Sequence, residues 1–172
     1  MLPRFAIVSS VISALLLSAC ATPMGRPAAG ADLLARSGST VSGKVSFSEA
    51  NGRLRVTARV AGLTPGEHGF HLHESGDCSA ADASSAKGHF NPTGQAHGDH
   101  AAAVHHGGDM PNLVAGADGV AIYDVELSGL TLDGPTGVLG RSVVVHADAD
   151  DFRSQPAGNS GKRIACGTIV AN

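Results

Sequence analysis

The sequence predicts an all-β fold, an antiparallel sandwich or barrel, and three features carry that prediction. Between Arg53 and Val60 the run RLRVTARV alternates strictly: Leu54, Val56, Ala58 and Val60 form a dry face, while Arg53, Arg55, Thr57 and Arg59 form a wet one. Just before it stands Asn51-Gly52, a pair suited to the positive φ of a two-residue hairpin turn. Apolar spacing at the helical period is not convincing anywhere, and turn residues recur at short intervals. With 3% aromatic residues, no Trp and 23 Gly, the core must be built from Val, Ile, Leu and Ala.

In chain order, Arg4 and the apolar run after it, closed by Leu17, Ser18, Ala19 and Cys20, predict a signal peptide over residues 1–19. The run is shorter than the roughly 20 residues a membrane-spanning helix needs. The closing four residues resemble the lipobox of bacterial lipoproteins, in which the Cys becomes an acylated N-terminus. Three Cys are an odd number for an exported chain; lipidation of Cys20 leaves Cys78 and Cys166 as one pair for an oxidising compartment. Residues 20–39 lack a sustained period and are rich in Pro, Gly and Ala, so they read as a lipidated tether, with room for a short helix from Asp32 to Arg36.

The folded domain is expected over residues 40–172, a size that suits one unit. Val41, Val45 and Phe47 form the partner strand of the first hairpin; further strands are expected at 69–73, 119–127, 141–146 and 164–170. Two connections, 74–111 and 147–162, are too long to be simple turns, and loops of that length are usually functional. The first holds five of the nine His, with Cys78 and Asp109. A formal charge of −3 removes any argument for nucleic acid or for a membrane surface held by basic residues.

In GFHLH the strand period of two puts Phe70 and Leu72 on one face and His71 and His73 on the other, where both can bind one metal. His89 follows in GHFNP, then His97, then His106 and Asp109 in HHGGD, and His146 closes VVVH. Neutral imidazole suits copper and zinc, and a His-rich set with one carboxylate and no thiolate suits zinc.

GFHLHESGDC, GHFNP, HGD, HHGGDMPN, SVVVHADADD and GKRIACG, in that order from about Val41 to Asn172, resemble the copper/zinc superoxide dismutases, specifically their exported bacterial branch. The resemblance implies an eight-stranded antiparallel Greek-key barrel of immunoglobulin-like sandwich architecture with two long functional loops. It implies one copper per chain on His71, His73, His89 and His146, and one zinc on His89, His97, His106 and Asp109, with His89 shared. Asp150 would link His71 to His97, His68 would support the ligand strand, and a disulfide from Cys78 to Cys166 would staple the loop to the last strand. The implied reaction is disproportionation of superoxide to dioxygen and hydrogen peroxide, with His89 and Arg163 as the catalytic residues and Arg163 orienting the anion. Lys162 and Lys87 are expected to help steer it.

His100 and His105 fall outside this set and read either as solvated loop residues or as a metal-capturing tract; the family spacing to Asp109 that the resemblance implies selects His106 over His105 as ligand. The alternative on the same fold is a non-catalytic envelope protein that binds copper or zinc. A di-zinc hydrolase fits less well, with one candidate carboxylate ligand and no evident general base. The expected location is the bacterial periplasm, attached by lipid alone, with the inner leaflet of the outer membrane preferred. A homodimer stays open, since edge composition does not specify partners.

Overall fold

The computed structural model describes residues 28–172; the segment expected to be a signal peptide and Cys20 lie outside the described residues. Ten strands form: β1 (Ala29–Ala35), β2 (Ser42–Ala50), β3 (Arg53–Ala61), β4 (Gly66–His68), β5 (Phe70–His73), β6 (Leu113–Ala115), β7 (Val120–Ser128), β8 (Ser142–His146), β9 (Arg163–Thr168) and β10 (Val170–Ala171). Every strand pairing is antiparallel. The main sheet runs β5-β8-β9-β1-β2-β3-β7, β10 pairs with β1, and β4 pairs with β6. The sheet curls around one apolar core that includes Phe47, Leu54, Val56, Phe70, Leu72, Leu113, Val143, Val145 and Ile169.

The first hairpin follows the sequence closely. Asn51 and Gly52 have φ of 54° and 71°, and Leu54, Val56, Ala58 and Val60 are buried. The region read as a tether departs from its expectation. From Ala29 to Ala35 the chain is a strand in the middle of the sheet, between β2 and β9, and no helix forms over Asp32–Arg36. Ala29, Ala31 and Leu33 face inward. The alternation is muted because two inward residues are Ala and because Leu33 is followed by an exposed Leu34. The barrel therefore starts near residue 29, not 40. The last expected strand divides in two: β9 pairs with β8 and β1, whereas β10 lies opposite Ala29 and Gly30.

The long 74–111 connection lies back along β5. Phe90 N donates to Leu72 O (2.8 Å), Leu72 N to Gly108 O (3.0 Å) and Gly108 N to Phe90 O (2.8 Å). This arrangement satisfies backbone groups that an open edge would leave unpaired and covers the outer face of β5, so His71 and His73 are as buried as Phe70 and Leu72. On the neighbouring strand Val144 faces outward and packs with Ala83, Ala86, Cys166 and Cys78 in a second small cluster. There a disulfide joins Cys78 to Cys166, 88 residues apart.

Closing a loop of that length removes denatured-state entropy worth about 4–5 kcal/mol in the chain-entropy model. Replacing Cys78 and Cys166 together by Ser is expected to lower unfolding stability by about 2–5 kcal/mol in a urea titration. An unchanged midpoint would show that the small cluster alone holds the loop.

Candidate metal centre

β5 delivers His71 and His73 one strand period apart, β8 ends on His146, and the loop laid along β5 brings His89 opposite His73 and Asp109 opposite His71. One ring nitrogen from each of His71, His73, His89 and His146 lies within 4.8 Å of the others, and all four residues are buried. A second group shares His89: ligand atoms of His89, His97, His106 and Asp109 lie within the same distance of one another.

The tautomers follow from what the other nitrogens touch. His71 Nε2 donates to Asp150 Oδ2 (2.8 Å), His73 Nδ1 to Lys87 O (2.9 Å) and His146 Nδ1 to Gly161 O (3.4 Å). This leaves His71 Nδ1, His73 Nε2 and His146 Nε2 as lone-pair atoms. Together with His89 Nε2 they are buried without any hydrogen-bond partner. Four unsatisfied nitrogens sharing one small volume would be costly in an apo core and fit a copper ion that prefers imidazole. In the second group Asp109 Oδ1 stands 2.7 Å from His89 Nδ1, 3.0 Å from His97 Nδ1 and 3.2 Å from His106 Nδ1. Ligands on a tetrahedral zinc with bonds of about 2.0–2.1 Å are about 3.3 Å apart, so this set is the right size and chemistry for zinc.

The other oxygen of Asp109 accepts from the backbone N–H groups of Gly98 (3.0 Å) and His106 (2.8 Å). Asp150 joins the two groups: Oδ2 meets His71, while Oδ1 meets His97 Nε2 (3.0 Å) and Phe152 N (2.7 Å). Burial opposes ionisation of both carboxyls, but their imidazole and N–H partners hold both well below the usual range. For His73 and His146 burial, reinforced by neighbouring imidazoles, pushes basicity well down, and it pushes His71 down to about 4.

His68 is buried on β4, with Nδ1 2.9 Å from His146 O and Nε2 2.9 Å from Thr64 O, so it braces the end of β8. Arg163 opens β9 directly across from His146, and its guanidinium donates to Ala83 O (2.7 Å) in the loop held by the disulfide. Lys87 and Lys162 are exposed. His100 and His105 belong to neither group.

Sequence reasoning missed several supports. Asn112 brackets the backbone of Asp150, receiving from its N–H (2.9 Å) and donating to its C=O (3.1 Å). Gln155 does the same for His97, at 3.0 and 2.9 Å. Gly158 has φ 65° and lies against the Asp150 carboxylate and His97, where any side chain would displace them. Asn112 sits inside the HHGGDMPN motif and was within reach of sequence reasoning; Gln155 carried no signal.

Residues 41–169 match the family model for copper/zinc superoxide dismutase. The chain is similar to the Cu-Zn superoxide dismutase of Deinococcus radiodurans, with 45% identity over 90% of each chain. It is also similar to that of Onchocerca volvulus, 43% identical over 77% of this chain and 90% of the relative. Among solved structures it is similar to the clock protein EA4, with a TM-score of 0.77 and 35% identity over 85% of this chain and 96% of that one.

In the metal-free protein burial works against charging His97, yet Asp109 and Asp150 outweigh it and push His97 up to about 9. A raised imidazole stabilises fully below its unfolded value, about 6.5, and the benefit is lost as pH climbs through about 9. His71, His73 and His146, shifted downward, add slope only below about 6.5. Chelated protein should therefore lose stability to urea between pH 6.5 and 9.5, and His97→Asn should flatten that decline. A flat wild-type profile would contradict this electrostatic picture.

Proposed function

From the premise that the chain belongs to the copper/zinc superoxide dismutase family, we propose how its own residues carry the reaction. The protein is an enzyme that disproportionates superoxide, converting two superoxide anions and two protons to dioxygen and hydrogen peroxide, and its metals are copper and zinc. Bound copper supplies the one-electron redox capacity that no side chain here has, and zinc, redox-inert, supplies fixed charge and structure.

His71, His73, His89 and His146 hold copper, and His89, His97, His106 and Asp109 hold zinc. The observation that carries this assignment is the set of four orphaned ring nitrogens, each fixed in tautomer by a partner on its far side or, for His89, by the second group. His89 is the shared ligand, and its Nε2 is the atom at which the site can take up and give back a proton. Asp150 fixes the rings of His71 and His97 together; such outer partners are worth about 10–100-fold in metal affinity or activity.

Arg163 orients the anion. Its guanidinium is half-buried and anchored to Ala83 O at 2.7 Å, and burial lowers its pKa from the ordinary Arg value. Without residues 1–19, which contain only Arg4 as a charge, the formal charge falls from −3 to −4, so attraction of superoxide must be local. Arg163, Lys162 and Lys87 supply it. Charge-focusing clefts raise on-rates by about 10–1000-fold, an effect for which this enzyme family is itself a reference case.

The Cys78–Cys166 disulfide belongs to an oxidising compartment outside the cytoplasm. The finer reading is a bacterial periplasmic lipoprotein: residues 1–19 are removed, Cys20 is acylated, and the inner leaflet of the outer membrane holds it. Because β1 begins at Ala29, the link after Cys20 is residues 21–28, which reach at most about 28 Å fully extended. All groups used here come from one chain, so the reading holds for monomer and homodimer alike.

Purified protein should contain one copper and one zinc per chain and lose superoxide-decay activity to a chelator. His146→Ala should lose copper and keep zinc, and Asp109→Ala should lose zinc. Retention of both metals by both variants would overturn the ligand assignment. Neutralising Arg163, Lys162 and Lys87 together should lower the rate by about tenfold or more and weaken its ionic-strength dependence. An unchanged rate with an unchanged salt slope would remove the steering role.

A further inference from the structure

Two rings of the first metal group feel the charge of Arg163. Burial above all lowers the basicity of His73 and His146, and the nearby guanidinium lowers it further. Arg163 sits opposite His146 where β8 pairs with β9, and it donates to Ala83 O (2.7 Å). The positive charge is therefore held between that group of imidazoles and the turn around Ala83.

Asp82 immediately precedes this anchor. Its Oδ1 accepts from Ser84 N (2.9 Å), a contact that spans Ala83 and keeps the carboxylate on the same turn that receives Arg163. Ala83 has φ 57°, in the left-handed region that Ala rarely adopts, so the surrounding contacts hold this turn in one shape. Hydrogen bonds from Ser84 keep the Asp82 carboxyl below its ordinary value, and Arg163 acts in the same direction. Burial pushes Arg163 below the ordinary Arg value, and Asp82 is the group that opposes this.

This acid differs from those of the metal centre. Asp109 and Asp150 are buried, and each lies against at least two imidazoles. Asp82 is exposed, and its one printed bond is to a neutral backbone N–H. Its charge is left to act on Arg163 and on any anion that Arg163 attracts.

We infer that Asp82 is a counter-charge to Arg163, which fixes the turn that anchors the guanidinium and at the same time lowers the positive potential offered to superoxide. The inference rests on Arg163 as the orienting residue and goes beyond it. Asp82 sets the field of Arg163 and touches no metal ligand. Its two effects separate chemically, because the bond from Ser84 N needs only an oxygen whereas repulsion needs a charge.

Asp82→Asn keeps the acceptor oxygen and removes the charge. Asp77→Asn is the control, since Asp77 is another exposed acid of this loop whose Oδ1 accepts from Ser79 N (2.8 Å), and Arg163 has no part in its surroundings. Both variants change the net charge equally. On copper- and zinc-loaded protein, superoxide decay is followed by pulse radiolysis, and azide, a small anion that ligates Cu(II), is titrated by visible absorption. At roughly 0.01 M salt Asp82→Asn should speed decay about two- to threefold and tighten azide binding by a similar factor, the size of one charge acting over several ångström of largely aqueous medium. At about 1 M salt, where the screening length is only about 3 Å, both gains should vanish. Asp77→Asn should stay near wild type throughout. Equal effects of the two variants, or a gain that survives high salt, would overturn the inference. Weaker azide binding in Asp82→Asn would overturn it as well, making the acid a plain support of Arg163. Wild-type rate and azide affinity in Arg163→Gln would instead defeat the orienting role of Arg163, a separable result.

Discussion

The Asp150 carboxylate is the constraint on which the centre depends. One oxygen fixes His71 in the proposed copper group and the other fixes His97 in the proposed zinc group, so neither ring can rotate without loss of a charge-assisted hydrogen bond in a buried site. A buried carboxylate with fewer partners would be protonated or expelled. This one also accepts from Phe152 N, and Asn112 holds its backbone on both sides. The loop at 147–162 is therefore a structural partner of the loop at 74–111, although no strand pairs them.

Everything around that carboxylate is arranged to let imidazoles be buried where a core would ordinarily exclude them. Strand alternation sends Phe70, Leu72, Val143 and Val145 into the barrel and leaves His71 and Val144 outside it. The first long loop then covers the outer face and brings its own backbone to β5, where Leu72 N and Leu72 O both find partners in it. Lys87 illustrates what that costs locally. Its φ of 64° and ψ of −151° lie in a region that side chains avoid, at an expense of about 1–3 kcal/mol. The same residue's carbonyl receives His73 Nδ1–H, so the strained turn and the orientation of a metal ligand share one peptide.

Legibility in the sequence tracked the kind of physics involved. The first hairpin was readable because Asn51-Gly52 and a nine-residue alternating strand are local signals. The pair on β5 was readable because period two alone puts His71 with His73. The coming together of His89, His97, His106, Asp109 and His146 was not local, and only the resemblance of six ordered motifs to a known family could suggest it. β1 was missed because small Ala residues mute alternation and because what makes it a strand is two neighbours far away in the chain, β2 and β9. Gln155 and the carbonyls of Lys87 and Ala83 had no signal at all, since a backbone oxygen looks the same in every residue.

The two metal groups share His89 but face different demands, and the fold separates them accordingly. The copper group must meet a small anion, and the guanidinium beside it is tied to Ala83 O in a loop stapled by the disulfide, which fixes the position of positive charge. The zinc group must meet a cation once and then keep it. Its carboxylate is buried and saturated on one oxygen by backbone N–H groups. A protein of net negative charge that must attract superoxide can do so only if its acids are kept from that approach. Asp109 and Asp150 satisfy this by being buried against imidazoles, where their charge is offset locally, so the carboxylates that hold the centre together offer little opposition to an approaching anion.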